Sequence, residues 1–315
     1  MRIAFLIDPP ESFAIYKDST YAMMVEAAKR GHELHVLQQE NLAWQAGQVS
    51  ATTQRLHLTG DSSAWFRLDA AQAVALRDFE AVLMRKDPPF DMEYVYSTYL
   101  LELAQNQGAR VFNNPRAIRD CNEKMTIARF PQFTAPTLVT RDLALIRRFL
   151  AEHDDIILKP LDGMGGTSVF RVHGRDPNLN VILETLTHYG RRTIMAQRYI
   201  PAIVDGDKRV LLIGGNPVPQ ALARIPKPGE TRGNLAAGGT GVARPLTPRD
   251  REIAETLGPQ LFAQGLLLVG LDVIGDYLTE VNVTSPTCFQ EITAQTGFNV
   301  AGMMLDALET AAGRR

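Results

Sequence analysis

Apolar runs alternate with amphipathic stretches along the first 115 residues, and this alternation predicts a β-α-β opening. The run from Ile3 to Ile7 is short and bounded by polar residues, as in a buried strand. The helix that follows is expected to stop at Gly31. Strands that alternate with helices form parallel sheets, so we expect an open parallel-sheet domain here. The predicted elements are strands at 3–7, 33–37, 81–84 and 110–112, and helices at 19–30 and 94–106.

The pattern changes after Asn114-Pro115. From there, β-rich stretches surround a few helices, and we place a domain boundary near residues 114–123. The elements predicted after Asn114-Pro115 are helices at 117–130, 143–153 and 248–264, and strands at 156–159, 169–172, 194–199, 209–213, 219–225, 267–274 and 277–283.

The stretch from Val269 to Val283 predicts a hairpin, because two β-branched segments flank a Gly-Asp turn signal. Glu280 and Asn282 then share one face of a strand. Asp272 joins them only if it pairs with Glu280, which requires a three-residue connection (275–277) rather than a two-residue one. Mg²⁺ prefers hard oxygen ligands, with substrate phosphates completing its shell. An ordinary polar strand is the alternative interpretation of the same residues.

A glycine-rich loop at 160–168 joins two predicted antiparallel strands, and Lys159 stands at its start. Glycines let backbone amides approach a phosphate closely. The loop is neither a Walker A motif nor a dinucleotide fingerprint, because both of those lead into a helix. A flexible hairpin tip is the alternative, but Lys159 favours a nucleotide. Lys124 is a second candidate phosphate ligand, or else a lysine on a solvated helix face.

A second glycine-rich stretch, residues 226–241, has no apolar periodicity, and long loops of this kind in compact domains are usually lids or disordered. Arg232 and Asn234 within it are candidates to stabilise a transferring phosphoryl group, and Arg224 stands at its base. A lid would protect a reactive acyl phosphate from water.

Composition narrows the class of protein. With 33 Lys+Arg against 35 Asp+Glu, nothing predicts a large basic surface for nucleic acid. Cys121 and Cys288 are the only cysteines, too few for a disulfide framework. Cys288 is expected to be a small packed residue rather than a nucleophile. No stretch resembles a signal peptide or a membrane span, so we expect a cytoplasmic protein that binds neither membrane nor nucleic acid.

Taken together and in this order, the motifs resemble the ATP-grasp superfamily, and more closely the bacterial-type glutathione synthetases. The similarity spans essentially the whole chain. It rests on Lys124 and on the strings at 8–9, 17–19, 84–90, 159–166, 195–201, 205–209, 230–239 and 280–286.

The resemblance implies an N-terminal α/β domain at residues 1–122, followed by an ATP-grasp fold of two α+β subdomains at 123–203 and 204–315, with the nucleotide between them. It implies a ligase that joins γ-glutamylcysteine to glycine through an acyl phosphate, with ATP and Mg²⁺, or Mn²⁺ in its place. It also implies a homo-oligomer, a tetramer.

The site residues that the resemblance implies fall into four groups. The catalytic residues are Arg209, Arg232 and Asn234. The nucleotide-binding residues are Lys124, Lys159, Gly163, Gly165, Gly166, Gln197, Tyr199, Ile200, Asp207, Arg224 and Asp272. The substrate-binding residues are Asp18, Ser19, Arg85, Asp87, Thr284 and Ser285. The metal ligands are Asp272, Glu280 and Asn282.

Three alternatives remain from the sequence. Another carboxylate-amine ligase, one that joins D-alanines or adds glutamate to a protein tail, would differ in the first domain and the lid. A regulatory module would bind nucleotide without turnover, although it would not need Arg232 and Asn234. The last is a soluble α/β protein with a nonfunctional glycine loop.

Overall fold

The computed structural model describes residues 1–235 and 238–313. Its first 120 residues form a mixed eight-stranded sheet in the order β3-β4-β2-β1-β7-β8, with β5 and β6 paired to β4. The strands are β1 (Arg2–Leu6), β2 (Glu33–Leu37), β3 (Leu42–Gln45), β4 (Gln48–Leu58), β5 (Phe66–Leu68), β6 (Gln72–Ala75), β7 (Ala81–Met84) and β8 (Val111–Phe112), and the helices are α1 (Ser19–Lys29), α2 (Met92–Asn106) and α3 (Pro115–Asp120).

The parallel part of this sheet is the part predicted, since β2, β1, β7 and β8 pair in parallel. The expectation of a purely parallel sheet is wrong, because β3 to β6 extend it with antiparallel pairs. Aspartate side chains cap the N-termini of α1 and α2, the helices that follow β1 and β7. Asp18 accepts a hydrogen bond from the Tyr21 backbone, and Asp91 accepts one from the Tyr94 backbone.

The predicted helix over 117–130 is wrong as a single element. Helix α3 ends at Asp120, and only a 3-10 turn (Met125–Arg129) follows. The Asn122 side chain explains the break, because its oxygen accepts hydrogen bonds from the backbone nitrogens of Lys124 (3.1 Å) and Met125 (2.9 Å). Such local bonds compete with helix formation. The chain turns sharply as a result, and Lys124 is buried instead of facing solvent.

The second sheet is antiparallel, in the order β11-β10-β12-β9. Two helices cover it, and their apolar residues close a core of its own around Ile146, Leu158 and Leu183. The elements are β9 (Thr137–Thr140), α4 (Leu143–His153), β10 (Asp155–Pro160), β11 (Phe170–His173), α5 (Leu179–Thr187) and β12 (Ile194–Arg198).

The third sheet is antiparallel as well, in the order β16-β15-β13-β17-β18, with β14 paired to β13. Its elements are β13 (Asp207–Ile213), β14 (Asn216–Pro217), β15 (Gln220–Ile225), β16 (Thr240–Pro245), α6 (Pro248–Ala263), β17 (Leu268–Ile274), β18 (Tyr277–Asn282), α7 (Phe289–Thr296) and α8 (Val300–Ala311).

The first and third sheets share one apolar core, which contains Phe5 and Leu83 of the first and Ile213 of the third. Asn113 also joins them. Its amide nitrogen donates to the carbonyls of Leu268 (2.7 Å) and Val283 (2.9 Å), and its oxygen accepts from the Leu268 nitrogen (2.9 Å). The end of the parallel sheet is thereby fixed against the hairpin that carries the acidic residues.

Candidate active site

A cavity of about 110 Å³ lies between the second and third sheets. It has an apolar side, with Ile157 and Ile200, and a charged end near Glu280. Every predicted nucleotide-binding residue except Arg224 lines it: Lys124, Lys159, Gly163, Gly165, Gly166, Gln197, Tyr199, Ile200, Asp207 and Asp272.

Two buried lysines meet one carboxylate at the charged end. Lys124 Nζ lies 3.5 Å and Lys159 Nζ 3.6 Å from Glu280 Oε1. Lys124 also donates to the carbonyl of Gly163 in the glycine-rich loop at 2.6 Å. Burial lowers the pKa of Lys159, while Glu280 acts in the opposite direction. Two cations held together in this way fit a polyanion such as a nucleotide phosphate chain.

The hairpin of β17 and β18 pairs Asp272 directly with Glu280, as predicted, and Gly270 with Asn282. The connection expected to produce this pairing is wrong. Ile274 pairs with Tyr277, so the turn has two residues, and the register shifts between Asp272 and Val273 instead. A β-bulge therefore brings Glu280 opposite Asp272, which a two-residue turn with regular pairing would not do.

Asp272 is held by two guanidinium groups. Arg209 Nε lies 2.6 Å from its Oδ1, and Arg224 Nη2 lies 2.9 Å from its Oδ2. Burial opposes ionisation of Asp272, but the two arginines outweigh burial and lower its pKa. Arg224 also pairs with Asp207 Oδ2. The other oxygen of Asp207 is buried and has no hydrogen-bond partner within residues 1–235 and 238–313, and burial raises the pKa of this carboxyl to about 7.

A second cavity, of about 210 Å³, adjoins the first. Asn234, Asp272 and Glu280 line both cavities, so the two meet at these side chains. Arg224, the remaining predicted nucleotide-binding residue, lines the second one, together with predicted residues of the other groups: Asp87, Arg209, Asn282, Thr284 and Ser285.

The predicted lid contacts the glycine-rich loop. An added Cβ on Gly166 would lie 2.9 Å from Asn234 Oδ1 and 3.0 Å from Arg232 Cδ. Arg232 Nη2 donates to Glu230 Oε2 at 2.6 Å, and this bond lowers the pKa of Glu230 to about 2. Residues 240 and 241 of the predicted lid begin β16. The lid residues Ala236 and Ala237 lie outside the described residues.

A third cavity, of about 200 Å³, opens beside the parallel sheet and is lined by Asp18, Arg85 and Asp87. Arg85 is buried, and donates to Thr20 Oγ1 and to the carbonyl of Pro286, each at 3.1 Å. Its Nη1 has no hydrogen-bond partner among the residues that the structure describes. A buried guanidinium nitrogen left unpaired is a ready site for a carboxylate.

Ser19 is the one predicted substrate residue that lines none of these cavities. It is 1% exposed, and its Oγ accepts a hydrogen bond from the Phe289 backbone at 3.2 Å. The neighbouring Thr20 lines the third cavity in its place. Cys288 is buried, as expected of a packed residue, and burial raises the pKa of its thiol.

Sequence reasoning missed Glu123, which lines the second cavity. Its Oε1 accepts a hydrogen bond from Thr284 Oγ1 at 2.9 Å. Burial raises the pKa of its carboxyl, and the nearby Glu280 adds to the effect. Its position directly before Lys124 was the available signal.

Comparison with known families accounts for both halves of the chain. The profile of the prokaryotic glutathione synthetase N-terminal domain matches residues 1–119, and that of the prokaryotic glutathione synthetase ATP-grasp domain matches residues 123–297. The chain belongs to the prokaryotic glutathione synthetase family. The family predicted from the motifs is thereby confirmed, and the protein is an ATP-dependent ligase of this family.

Curated glutathione synthetases align over nearly their full length. That of Ralstonia nicotianae is 64% identical over 314 residues, covering 100% of this chain and 97% of the relative. That of Nitrosomonas europaea is 63% identical over 319 residues, covering 100% and 99%. A third, from Neisseria meningitidis serogroup B, is 59% identical and covers 98% of each chain.

Solved structures confirm the ATP-grasp fold at low identity. D-cycloserine synthetase DcsG superimposes with a TM-score of 0.68 at 17% identity, covering 98% of this chain and 99% of that one. The ATP-grasp ligase PsnB, in a complex with a minimal precursor, Mg and ADP, gives 0.64 at 18% identity, covering 99% and 98%. Within residues 1–235 and 238–313, no helix combines the length and apolar character that a membrane crossing requires.

Proposed function

We propose that the chain joins γ-glutamylcysteine to glycine and cleaves ATP to ADP and phosphate, through an acyl phosphate on the cysteinyl carboxylate. The observation that carries this proposal is the meeting of two cavities at Asn234, Asp272 and Glu280. A nucleotide in the first cavity would present its terminal phosphate where a carboxylate in the second could attack it. Phosphoryl transfer depends mainly on such positioning and on neutralisation of charge.

The nucleotide would lie in the first cavity with its base against the apolar side, at Gln197, Tyr199 and Ile200. Lys124 and Lys159 would hold its phosphates. Asp207 would lie near the ribose, where its unpartnered Oδ1 is an open hydrogen-bond acceptor. The backbone of Gly163, Gly165 and Gly166 would approach the phosphates closely, since no side chain intervenes.

Magnesium would be held by Asp272, Glu280 and Asn282, which occupy directly paired or alternate positions of β17 and β18. In the described residues, no three His, Cys, Asp or Glu side chains are grouped to hold a metal ion. The protein alone therefore supplies an incomplete shell, which fits a cation that arrives with phosphate oxygens. When bound, such a cation offsets phosphate charge. Manganese would suit the same oxygen ligands.

The γ-glutamyl end of the donor would bind in the third cavity. Its carboxylate matches the unpaired Nη1 of Arg85, and its ammonium matches Asp18 and Asp87. Thr284 and Ser285 would contact the cysteinyl part in the second cavity. Ser19 would fix the position of the neighbouring Asp18 through its hydrogen bond with the Phe289 backbone.

The attacking carboxylate and the developing charge on the transferred phosphoryl group would be neutralised by Arg209 and Arg224, with Arg232 and Asn234 from the lid. In the structure Arg232 is paired with Glu230. We therefore propose that Arg232 exchanges this partner for the phosphoryl group when substrates bind.

We also propose the three-part organisation at 1–122, 123–203 and 204–315, a cytoplasmic location, and a homotetramer. Family membership supports these proposals. Light scattering of the purified protein would measure the assembly, and a mass near four chains is expected.

The decisive experiment measures ADP release from Mg-ATP with γ-glutamylcysteine and glycine together, and again with each one omitted. We expect release that needs both, with stoichiometric glutathione. Tight ATP binding without release would instead favour the regulatory module. Release with D-alanine or glutamate, but not with this pair, would favour a different carboxylate-amine ligase.

A further inference from the structure

Four carboxylates line the second cavity: those of Asp87, Glu123, Asp272 and Glu280. They differ in whether a basic side chain is paired with them. Asp272 and Glu280 are neutralised by the arginine and lysine pairs described above. No Lys, Arg or His nitrogen of the described ranges lies within 4 Å of the carboxylate of Asp87 or of Glu123. The cavity thus offers two carboxylates without a direct ion pair, although Lys124 and Arg209 act on Glu123 from farther away and Arg85 acts on Asp87. The proposed substrates carry two ammonium groups.

The carboxylates of Asp87 and Glu123 differ in the cavities that they line. Asp87 also lines the third cavity, together with Arg85 and Asp18, where the γ-glutamyl end would bind. Glu123 does not reach that cavity. It lines the second cavity together with Glu280 and Asn282, and its backbone carbonyl accepts a hydrogen bond from Val281, which lies between those two residues in β18. Glu280 and Asn282 are proposed to hold the cation at the transferred phosphoryl group, so the amine that opens the acyl phosphate must arrive next to them.

Hydrogen bonds fix the position of Glu123 through both its carboxylate and its backbone. Its Oε1 accepts from Thr284 Oγ1 at 2.9 Å, and its backbone carbonyl accepts from the Val281 nitrogen at 2.8 Å. The adjacent Lys124 is fixed to Gly163. The second carboxylate oxygen of Glu123, Oε2, accepts no hydrogen bond from any described residue. A carboxylate fixed through one oxygen, with the other still to be satisfied, is suited to receive an N–H donor.

A smaller cavity of about 80 Å³ continues from this point, and both Glu123 and Thr284 line it as well. Its walls include Phe90, Ile118 and Leu161, and none of the described residues that line it is Lys, Arg or His. An ammonium group beside Glu123 would therefore meet no repelling cation on this side.

We propose that Glu123 holds the ammonium group of the acceptor amine and takes one proton from it. The proposal rests on the ligase function proposed above. The neutral amine nitrogen forms a bond to the acyl carbon, and the bond from that carbon to the phosphate oxygen breaks. The nitrogen loses its second proton to the departing phosphate, and Glu123 returns the first to solvent.

The test compares glycine with hydroxylamine as the acceptor. Hydroxylamine is largely uncharged at pH 7, so it needs neither an ammonium partner nor a base. For Glu123→Gln, we expect kcat/KM for glycine to fall at least about a hundredfold, as loss of a proton acceptor generally causes. Hydroxylamine-dependent ADP release should stay within about threefold of the unsubstituted protein, and so should the KM values for ATP and γ-glutamylcysteine.

Two further variants keep the comparison interpretable. Glu123→Asp retains the charge at shorter reach, so it should recover part of the glycine activity. Asp120→Asn removes an exposed carboxylate three residues away, whose ion pair is with Arg116, so both acceptors should react normally. If Glu123→Gln fails to fold, Glu123→Asp still applies, because its loss should be greater with glycine than with hydroxylamine.

Equal losses with glycine and hydroxylamine would overturn the proposal, because a purely structural role predicts that result. A rise in KM for γ-glutamylcysteine alone would also overturn it, by assigning Glu123 to the donor. If the unsubstituted protein releases ADP without needing donor and amine, the ligase function itself fails, and this is seen before any variant is compared.

Discussion

Arg209 and Asp272 face each other across the paired strands β13 and β17, with Nε and Oδ1 2.6 Å apart. Both side chains are almost fully buried, and Arg224 completes the cluster. The carboxylate proposed to hold metal is therefore also the counter-ion of two buried cations. Function and stability are coupled at this one side chain.

Asp272→Asn should destabilise the fold by about 3–5 kcal/mol, because it leaves two buried guanidinium groups with one fewer negative charge. Turnover should be lost as well. Urea unfolding followed by circular dichroism measures the first effect. Asp276→Asn, an exposed change in the turn of the same hairpin, should leave both quantities unaltered. If the stability of Asp272→Asn were unchanged, water or a local structural rearrangement would be compensating Arg209 and Arg224 for the lost negative charge.

Glu280→Gln should reduce ligation at least about a hundredfold while the fold is retained, because a metal ligand and the shared partner of two lysines are lost together. Initial rates at saturating Mg-ATP measure the loss, and thermal unfolding checks the fold. Glu255→Gln, on the exposed face of α6, is the control. Near-normal turnover of Glu280→Gln would refute the metal assignment.

Gly166→Ala should impair turnover more than Gly165→Ala. Both glycines have positive φ angles, 79° and 61°, so both substitutions strain the backbone. Only the added Cβ at 166 meets the lid, at Asn234 and Arg232, whereas none of the described atoms lies within 4 Å of one at 165. The difference in kcat between the two variants measures the contact of lid and loop. Equal losses would mean that backbone strain alone accounts for them.

Arg85→Met should raise KM for γ-glutamylcysteine by tenfold to about a hundredfold, the range expected when a charge-assisted hydrogen bond is lost. The protein without substrate should not be destabilised, because an incompletely paired buried cation is removed. Steady-state kinetics and thermal unfolding test the two parts. Lys86→Gln is the matched control, since Lys86 is already neutralised by Asp8 at 2.7 Å. A normal KM in Arg85→Met would place the donor carboxylate elsewhere.

Stability should depend on pH through Asp207, whose pKa is raised to about 7 by burial. A carboxyl with a raised folded pKa favours the folded state when protonated. Its contribution is fully present below about pH 4, where the unfolded carboxyl is protonated too, and is lost as pH rises to 7. Melting temperatures of the nucleotide-free protein across this range measure the slope. Asp207→Asn should flatten the profile, and a parallel profile in that variant would exclude Asp207 as the source.

Most strands could be predicted because their apolar runs are bounded by turn residues, and β2 was predicted with its observed limits. The antiparallel extension was missed, although β4 carries the signal: Val49, Ala51 and Thr53 are buried between more exposed neighbours. The broken helix could not be found from periodicity, since the hydrogen bonds of one side chain, Asn122, decide it.

The glycine-rich loops and the acidic residues of the hairpin are visible locally in the sequence, and the other predicted site residues follow from the resemblance of the motifs to a family. The side-chain partners of these residues could not be predicted. That Asp272 is shared by Arg209 and Arg224, or that Arg232 is held by Glu230, depends on side-chain geometry which spacing does not encode. The burial of Lys124 likewise follows from a turn formed by its neighbour.

The bulge in the β17–β18 hairpin decides which face of the hairpin carries Glu280. Thr279 is the extra residue between Leu278, paired with Val273, and Glu280, paired with Asp272. If the two strands paired regularly with Thr279 still present, Thr279 would lie opposite Asp272, and Glu280 would lie opposite Leu271 with its side chain on the other face. A family member that lacks Thr279 would instead pair Glu280 with Asp272 without any bulge. The phase of the pairing, and not the number of residues, therefore decides whether the two carboxylates share a face.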